Sequence, residues 1–490
     1  VTEAASAPAR SPHLPEQLRE RLPAGMVAAL RDQVMPHLAD SGAHATAEAL
    51  LWTLALLDAE QNLPAAVLDA YGASTSDPTT SATDRVARLD RLRAAAADRA
   101  QAGLSDDDAR VVVAAELALQ TALARQRDAV ARYGPGFAPT TAGAEAPFDE
   151  LSAGTVATKL TGYLRERFPQ APTLTVTDAE IAPGGRSKLT YLLTIADSGA
   201  LPARCVLRLD RPVALIQTSA IDEYELLSKL AAVDGIPAPK PLLGEADPAH
   251  LGGTFLLVDL LPGHKAGEYF PEVAGPGRDQ PEIGRDIARI LARLHAVPPE
   301  SVGRDPAKPD AATDVPALVA QMRTLVANAG AHVPEFEIAA HWLLANAGLA
   351  ADQPVLVHGD VGLHNMLLDD GRVSGLLDWE LVGVGPAAFD LASCRHLIDQ
   401  LMPWDDFVAE YVANGGSTSA VRPDHIDFHA VLRAFRTIGA SQTAGGMYAS
   451  GVTDDYVLAN AGFDSATRAR WILVNALSRV LGVAPSAPTK

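Results

Sequence analysis

The sequence predicts an α+β chain: an all-helical N-terminal segment, then a β-rich lobe, then an α-rich lobe. Three observations carry that expectation. Ala- and Leu-rich helical patterns separated by short breakers fill roughly the first 130 residues. Short, branched runs punctuated by Gly and Pro follow, and from about residue 281 the helical pattern returns. With 490 residues the chain exceeds what one hydrophobic core organises, so at least two domains are expected.

Taken in order, the helical segment opens after a polar, Pro-containing lead. "GASTSDPTTSAT" at 72–83 breaks the pattern, Val86, Leu89 and Leu92 then recur at helical spacing, and Ser105 to Asp108 forms a capping signal for the next helix. This segment lacks a cluster of chemically versatile residues, so it reads as a packing or interaction module: a surface for a protein partner or for self-association. "GPGFAPTTAGAEAP" at 134–147 reads as a linker, which sets an accessory domain and linker at 1–145. The runs "TLTVTDAEI", "LTYLLTI", "ARCVLRL" and "TFLLVDLL" predict strands, with a helix over "AIDEYELLSKLAAV" between the last two, giving a first lobe at 146–262. A second lobe at 263–490 begins its helices with "EIGRDIARILARLHAV".

Composition narrows the partners. Lys and Arg number 40 against 60 Asp and Glu, a net charge of −20, and no long basic run offsets it. Nucleic acid and anionic membranes are therefore not expected as partners, although a metal-bound anion such as a nucleotide is compatible. Cys205 and Cys394 lie far apart in apolar contexts, which suits buried free thiols in a reducing compartment. The opening "VTEAASAPARSPHLPEQ" lacks a basic region followed by an apolar one, and no apolar run approaches the ~20 residues of a membrane span. A cytoplasmic protein without membrane insertion is the expectation.

The chemistry concentrates in "VLVHGDVGLHNMLLDDGRVSGLLDWE", 355–380. His358, Asp360 and Asn365 form H-x-D-x-x-x-x-N, and Asp378 follows in "LLDWE". The Asp-Gly pair between two apolar runs predicts a hairpin that returns Asp378 beside Asn365. A carboxylate and an amide oxygen there can bind Mg²⁺, a hard ion that takes oxygen ligands. Asp360 is then placed to receive the proton of an attacking hydroxyl, the division of labour of phosphoryl transfer.

"HGDVGLHN" with "LLDWE" resembles the signature of aminoglycoside phosphotransferase-like and choline-kinase-like small-molecule kinases, relatives of protein kinases. "APGGRSKLTYLL" is similar to their Gly-rich phosphate loop, "CVLRL" to their third strand, "IDEYELLSKLAA" to the following helix and "FLLVDLLPG" to the hinge between lobes. "LARLHAV" and "AFDLAS" also resemble family segments, so the resemblance covers about residues 150–400 in order. The subgroup most similar is that of the phosphotransferase domain fused to some acyl-CoA dehydrogenases. The resemblance implies a bilobal protein-kinase-like fold, with ATP and Mg²⁺ as cofactors. It makes Asp360 the catalytic base and Asn365 and Asp378 the metal ligands. Gly184, Gly185 and Ser187 would approach the ATP phosphates, since glycine lets backbone N–H groups come close to an anion. Arg208 occupies the place of the phosphate-contacting Lys, with Glu223, or less favourably Glu225, as its partner; an Arg can bridge phosphate and carboxylate. The backbone from Val258 to Leu260 would hold adenine. Lys188 stands where relatives often have Asn, and two roles are open for it: reaching a phosphate or facing solvent.

Other polar residues have plainer readings. His358 braces the catalytic loop, Asp390 ties that loop down from a helix start, and Asp369 and Asp370 make the turn. His364 reads as loop surface near the substrate, and Glu380 as either a supporting residue or surface. A transition-metal hydrolase built on His358, Asp360 and His364 lacks further clustered ligands and leaves Asn365 and Asp378 unexplained. A nucleotide-binding pseudokinase scaffold is disfavoured by the presence of Asp360, Asn365 and Asp378 together. Neither a G-x-x-x-x-G-K-[ST] loop nor a full G-x-G-x-x-G is present. The expected activity is ATP- and Mg²⁺-dependent O-phosphotransfer to a small-molecule alcohol. "FHAVLRAFRTIGASQTAGGMYAS" and "ARWILVNALSRVLGV", apolar with scattered Arg, lean toward an aliphatic, acyl or sterol-like alcohol over an aminoglycoside or amino alcohol.

Overall fold

The computed structural model describes residues 82–132, 152–182, 188–211, 218–267, 280–308, 314–328, 333–449 and 456–483. Residues 1–81, the linker stretch 134–147 and the expected phosphate-loop residues Gly184, Gly185 and Ser187 lie outside the described residues. Two helices come first, α1 (Ala82–Ala102) and α2 (Asp106–Arg132). Gly103, at φ +99, turns the chain between them, and the Ser105 hydroxyl accepts the Asp108 N–H at 3.2 Å. That is the capping interaction the Ser-x-x-Asp spacing predicts, and it satisfies a donor the new helix would otherwise leave open.

Helix α3 (Ala153–Arg167) leads into five antiparallel strands, β1 (Thr175–Ile181), β2 (Lys188–Ala196), β3 (Arg204–Asp210), β4 (Pro241–Glu245) and β5 (Phe255–Asp259). Their order in the sheet is β1-β2-β3-β5-β4, with helix α4 (Ala220–Leu230) between β3 and β4 in sequence. The period of two decides the faces. Leu189, Tyr191, Leu193 and Ile195 of β2, Cys205, Leu207 and Leu209 of β3, and Phe255 and Leu257 of β5 share one core with Val156, Leu160 and Leu164 of α3. Leu256 and Val258 of β5 point the other way, into the core of the second lobe. A strand buried on both faces needs an unbroken apolar run, which "FLLV" supplies.

The second lobe carries α5 (Pro281–His295), α6 (Val315–Asn328), α7 (Pro334–Ala345), α8 (Ala388–Leu401), α9 (Trp404–Ala413), α10 (Pro423–Ala449) and α11 (Tyr456–Leu481). Set among them are a three-stranded sheet, β6 (His264–Lys265) with β8 (Met366–Asp369) and β9 (Arg372–Leu376), and a pair, β7 (Pro354–Val357) with β10 (Gly383–Pro386). Phe336 of α7 stacks on Phe435 of α10 at 4.1 Å between ring centroids. Ala96 and Ala100 of α1 and Val112 and Val113 of α2 belong to this same core, beside Leu343 of α7 and Leu473 of α11. Small alanines let these helices approach closely, and buried charge locks the contact. Glu116, fully buried, accepts from Arg93 at 2.7 Å and lies 3.4 Å from Arg470, which also donates to the buried Glu335 at 2.6 Å. Among the described residues, no helix is long and apolar enough to cross a membrane. Cys205 and Cys394 are free and buried.

Candidate active site

β7 delivers His358, Gly359 and Asp360 to the seam between the lobes, and buried side chains hold the turn. Asp390, fully buried in the first turn of α8, accepts the N–H of His358 at 2.7 Å and of Gly359 at 2.9 Å. His295 of α5 lies 3.3 Å from the same carboxylate. His358 Nε2 donates to the Leu377 carbonyl at 3.0 Å while its Nδ1 accepts the Asp360 N–H at 3.2 Å, a pattern only the neutral ring can make. Burial lowers the His358 pKa, which agrees with that tautomer. The His358 and Asp390 readings from sequence therefore match their positions. Gly359 sits at φ +85, and a Cβ there would collide with the Leu381 carbonyl.

The Asp360 carboxylate is surrounded by donors. Oδ1 accepts from Arg433 of α10 at 2.6 Å, and Oδ2 accepts from Asn365 Nδ2 at 2.9 Å and meets His364 Nε2 at 3.0 Å. Burial would raise this carboxyl, but the His364 hydrogen bond and the Arg433 guanidinium outweigh it and hold the pKa well below the usual carboxylate range. His364 thus differs from the loop-surface expectation: it is part-buried and bonded to Asp360. A short helical turn at 363–365 carries His364 back to Asp360, which a linear pattern does not reveal.

The expected hairpin forms from β8 and β9. Asp370 and Gly371 both have positive φ, at +48 and +71, as a tight two-residue turn demands. Met366 pairs with Leu376, and the Leu377 N–H donates to the Asn365 carbonyl at 2.7 Å, so Asp378 emerges next to the Asn365 end of the loop. Asp378 itself has φ +64, a left-handed conformation costing about 1–2 kcal/mol for a side chain of this kind. Asn365 spends its amide N–H groups on Asp360, leaving its amide oxygen as an acceptor. A carboxylate and an amide oxygen so arranged fit a hard, partly hydrated divalent cation completed by phosphate oxygens.

Facing them, β3 presents Arg208, whose guanidinium donates to Asp378 at 2.6 Å and to Glu223 of α4 at 3.2 Å. Glu223 is buried whereas Glu225 is exposed, so the partner of Arg208 is Glu223. Burial pushes the Glu223 carboxyl up, against the pull of Arg208. Lys188, at the start of β2, is 2% exposed and donates to Glu380 at 2.9 Å and Thr218 at 2.6 Å. Of the two roles open for Lys188, facing solvent is excluded, and Glu380 proves to be a buried partner. The two hinge residues differ. Val258 is 3% exposed and faces β3 and β4 within the sheet, whereas Leu260 is the first residue beyond the ladder. Of the pair, Leu260 has its backbone outside the strand pairing.

Beside Asp360 opens a cavity of about 290 Å³. His364, Arg433, Arg395, His396 and Arg479 line it together with apolar residues such as Leu363, Leu397 and Ile472. Its lining carboxylate, Asp399, lies 3.2 Å from Arg395. His396 is pushed down to about 3 by burial, then by Arg433, and is neutral at ordinary pH. No motif in the sequence marks Arg433. The only signal for it was an Arg recurring in the apolar pattern of "VLRAFRTIG".

The chain is similar to several known proteins. Residues 178–424 match the model of the phosphotransferase enzyme family. A protein described as a probable acyl-CoA dehydrogenase from Arabidopsis thaliana is 29% identical over 242 residues, 46% of this chain and 29% of that protein. Acyl-CoA dehydrogenase family member 11 from Rattus norvegicus is 29% identical over 249 residues, 48% of this chain and 30% of its own length. The chain thus spans less than a third of the length of these curated relatives. Viomycin phosphotransferase from Streptomyces vinaceus is 30% identical over 181 residues, 34% of this chain and 59% of that protein. Among solved structures, a macrolide 2′-phosphotransferase from Brachybacterium faecium aligns with 22% identity and a TM-score of 0.42, covering 62% of this chain and 97% of that one.

Proposed function

Since this chain belongs to the phosphotransferase enzyme family and is a small-molecule kinase, we propose that it transfers the γ-phosphoryl group of ATP, with Mg²⁺, to the hydroxyl of an aliphatic, acyl or sterol-like alcohol. One observation carries the reading. The Asp360 carboxylate, held by Arg433, stands beside a cavity lined by its own neighbours, and Asp378 of the same lobe meets Arg208 of the first lobe. An acceptor in the cavity presents its hydroxyl to Asp360, which orients it and takes its proton as the oxygen attacks in line. Asn365, by holding Asp360 Oδ2 with its amide, leaves its own oxygen toward the cation side, where Asp378 supplies the carboxylate. Arg208 holds phosphate oxygens while Glu223 keeps the guanidinium in place. When bound, Mg²⁺ neutralises the charge that gathers on the transferred phosphoryl group.

A polycationic acceptor is poorly supported. The cavity lining offers three arginines and two histidines against Asp399, whereas a polycation is held by several carboxylates. An aminoglycoside or amino alcohol acceptor is the second reading. A zinc-type hydrolase has no ligand set: among the described residues no three His, Cys, Asp or Glu side chains are grouped to hold a metal. The N-terminal helices retain the role of a surface for a protein partner or self-association, on the faces of α1 and α2 that are not packed on the second lobe.

The deciding measurement is ADP release from ATP and Mg²⁺ over a panel of hydroxylated aliphatics, amino alcohols and aminoglycosides. Turnover of hydroxylated aliphatics is expected, with Asp360→Asn lowering kcat by about 10²–10⁴-fold. Efficient turnover of aminoglycosides alone would overturn the substrate assignment, and undiminished turnover by Asp360→Asn would overturn the role of the base.

A further inference from the structure

Lys188 is a departure in sequence and an oddity in position. It opens β2 directly after the Gly-rich segment, yet it is buried to 2% exposure. Its ammonium lies 2.9 Å from Glu380, 3.6 Å from Asp210 and 3.9 Å from Glu223, with Thr218 at 2.6 Å. Arg208 reaches two of the same carboxylates, Glu223 at 3.2 Å and Glu380 at 3.8 Å, and then Asp378 at 2.6 Å. The register explains the convergence. Lys188 pairs with Asp210 and Thr190 pairs with Arg208, so Lys188 and Arg208 are diagonal neighbours on one face of the sheet.

The carboxylates differ in how firmly they are committed. Asp210 accepts the Ala220 N–H at 3.1 Å at the start of α4 and also accepts from Thr254, so it is tied to backbone and sheet. Glu223 is held by Arg208. Glu380 instead lies between Lys188, Thr218 and Arg208 in the turn that follows Asp378. Two cations therefore meet four carboxylates, and the excess negative charge is what a divalent cation at Asp378 would balance. Arg208 is a rigid fork already engaged at two ends. Lys188 is a point charge on a flexible stem, with donors that rotate, and can pass from a carboxylate to a phosphate oxygen within a short arc.

We propose that Lys188 is a second phosphate-holding residue of the nucleotide site, its ammonium moving from Glu380 to the phosphate oxygens of ATP while Arg208 remains on Glu223. The proposal rests on the reading of the protein as an ATP-dependent kinase. It divides between β2 and β3 the work expected of Arg208 alone. Glu380 is then the residue that keeps Lys188 poised between turnovers, a positioning residue rather than a ligand.

The test compares binding of ATP, ADP and adenosine to wild type, Lys188→Met and Lys188→Arg by calorimetry. Loss of a charge-assisted hydrogen bond weakens ATP and ADP by about tenfold to a hundredfold in Lys188→Met. Adenosine affinity is expected to be unchanged, and Lys188→Arg to restore most of the loss. Equal weakening of all three ligands, or of none, would overturn the proposal by showing a purely structural lysine. Wild type that binds no ATP would instead overturn the kinase reading itself.

A second measurement uses wild type only, so it survives if Lys188→Met fails to fold. An acyl phosphate of ATP is attacked at its acyl carbon by a lysine beside the phosphates after its ammonium gives a proton to water; the C–N amide bond forms as the acyl–oxygen bond breaks, the nitrogen's second proton goes to water, and ATP leaves through its terminal phosphate oxygen. Peptide mapping is expected to find the acyl group on Lys188, with labelling suppressed by ADP. ADP-sensitive labelling at another lysine, with Lys188 unmodified, would overturn the assignment.

Discussion

At Asp360, burial and hydrogen bonding pull in opposite directions, and the neighbours win. Burial alone would favour a neutral acid, but His364 and Arg433 keep the group ionised. A carboxylate held that far down is ionised across the working range, so under the proposed role wild-type kcat/KM is expected to show no acid limb from Asp360 down to about pH 5. In Arg433→Met a lowering influence is gone while burial remains, so the Asp360 pKa rises and the acid limb moves to higher pH. A pH–rate profile of the two proteins checks this. An unmoved limb would mean that Arg433 does not act through Asp360. Arg433 also lines the cavity, and its loss should raise KM for the acceptor.

Among the elements, the loop that carries Asp360 is held by a helix start. Asp390 gives two backbone N–H groups at His358 and Gly359 their partner, and His295 Nε2 lies 3.3 Å from the same carboxylate. Burial would raise its pKa, but the His295 hydrogen bond and the Gly359 N–H keep it lowered. Its stabilising contribution is therefore complete above the ordinary carboxylate range and lost as pH falls through the folded value. Asp390→Ala leaves those donors buried and unpaired, and should lower unfolding stability by about 3 kcal/mol, read by urea denaturation at neutral pH. The hairpin was legible from "DDGRV" because positive φ is affordable there mainly to Gly, Asn and Asp. Strand ends and the His364 contact were not, because they depend on what packs beneath the loop.

Taking the whole molecule, α1 and α2 share the second lobe's core, and their buried charges have partners there. Arg470 is the common partner of Glu116 and Glu335, and burial, then Glu116, already raises Glu335. Arg470→Met should cost about 3–5 kcal/mol by leaving buried carboxylates less compensated. Because a raised carboxyl pKa favours the protonated native state, the loss should be greater at pH 8 than at pH 5, as melting temperatures at the two values would show. Equal losses at both would place the penalty in packing.

Local pattern was enough for the sequence to determine the two-lobed α+β order and the hairpin that brings Asn365 and Asp378 together near Asp360, whereas Arg208 is marked only by the resemblance of "CVLRL" to a family strand. The order and the hairpin are written in residues close along the chain or in strands whose period of two is short-ranged. Tertiary structure alone decided that Glu223 is the partner of Arg208, that Lys188 lies buried beside Glu380, and that Arg433 and His364 grip Asp360. Those contacts join residues of different elements, and a charged side chain carries no mark in sequence of whether its partner is water or a buried opposite charge.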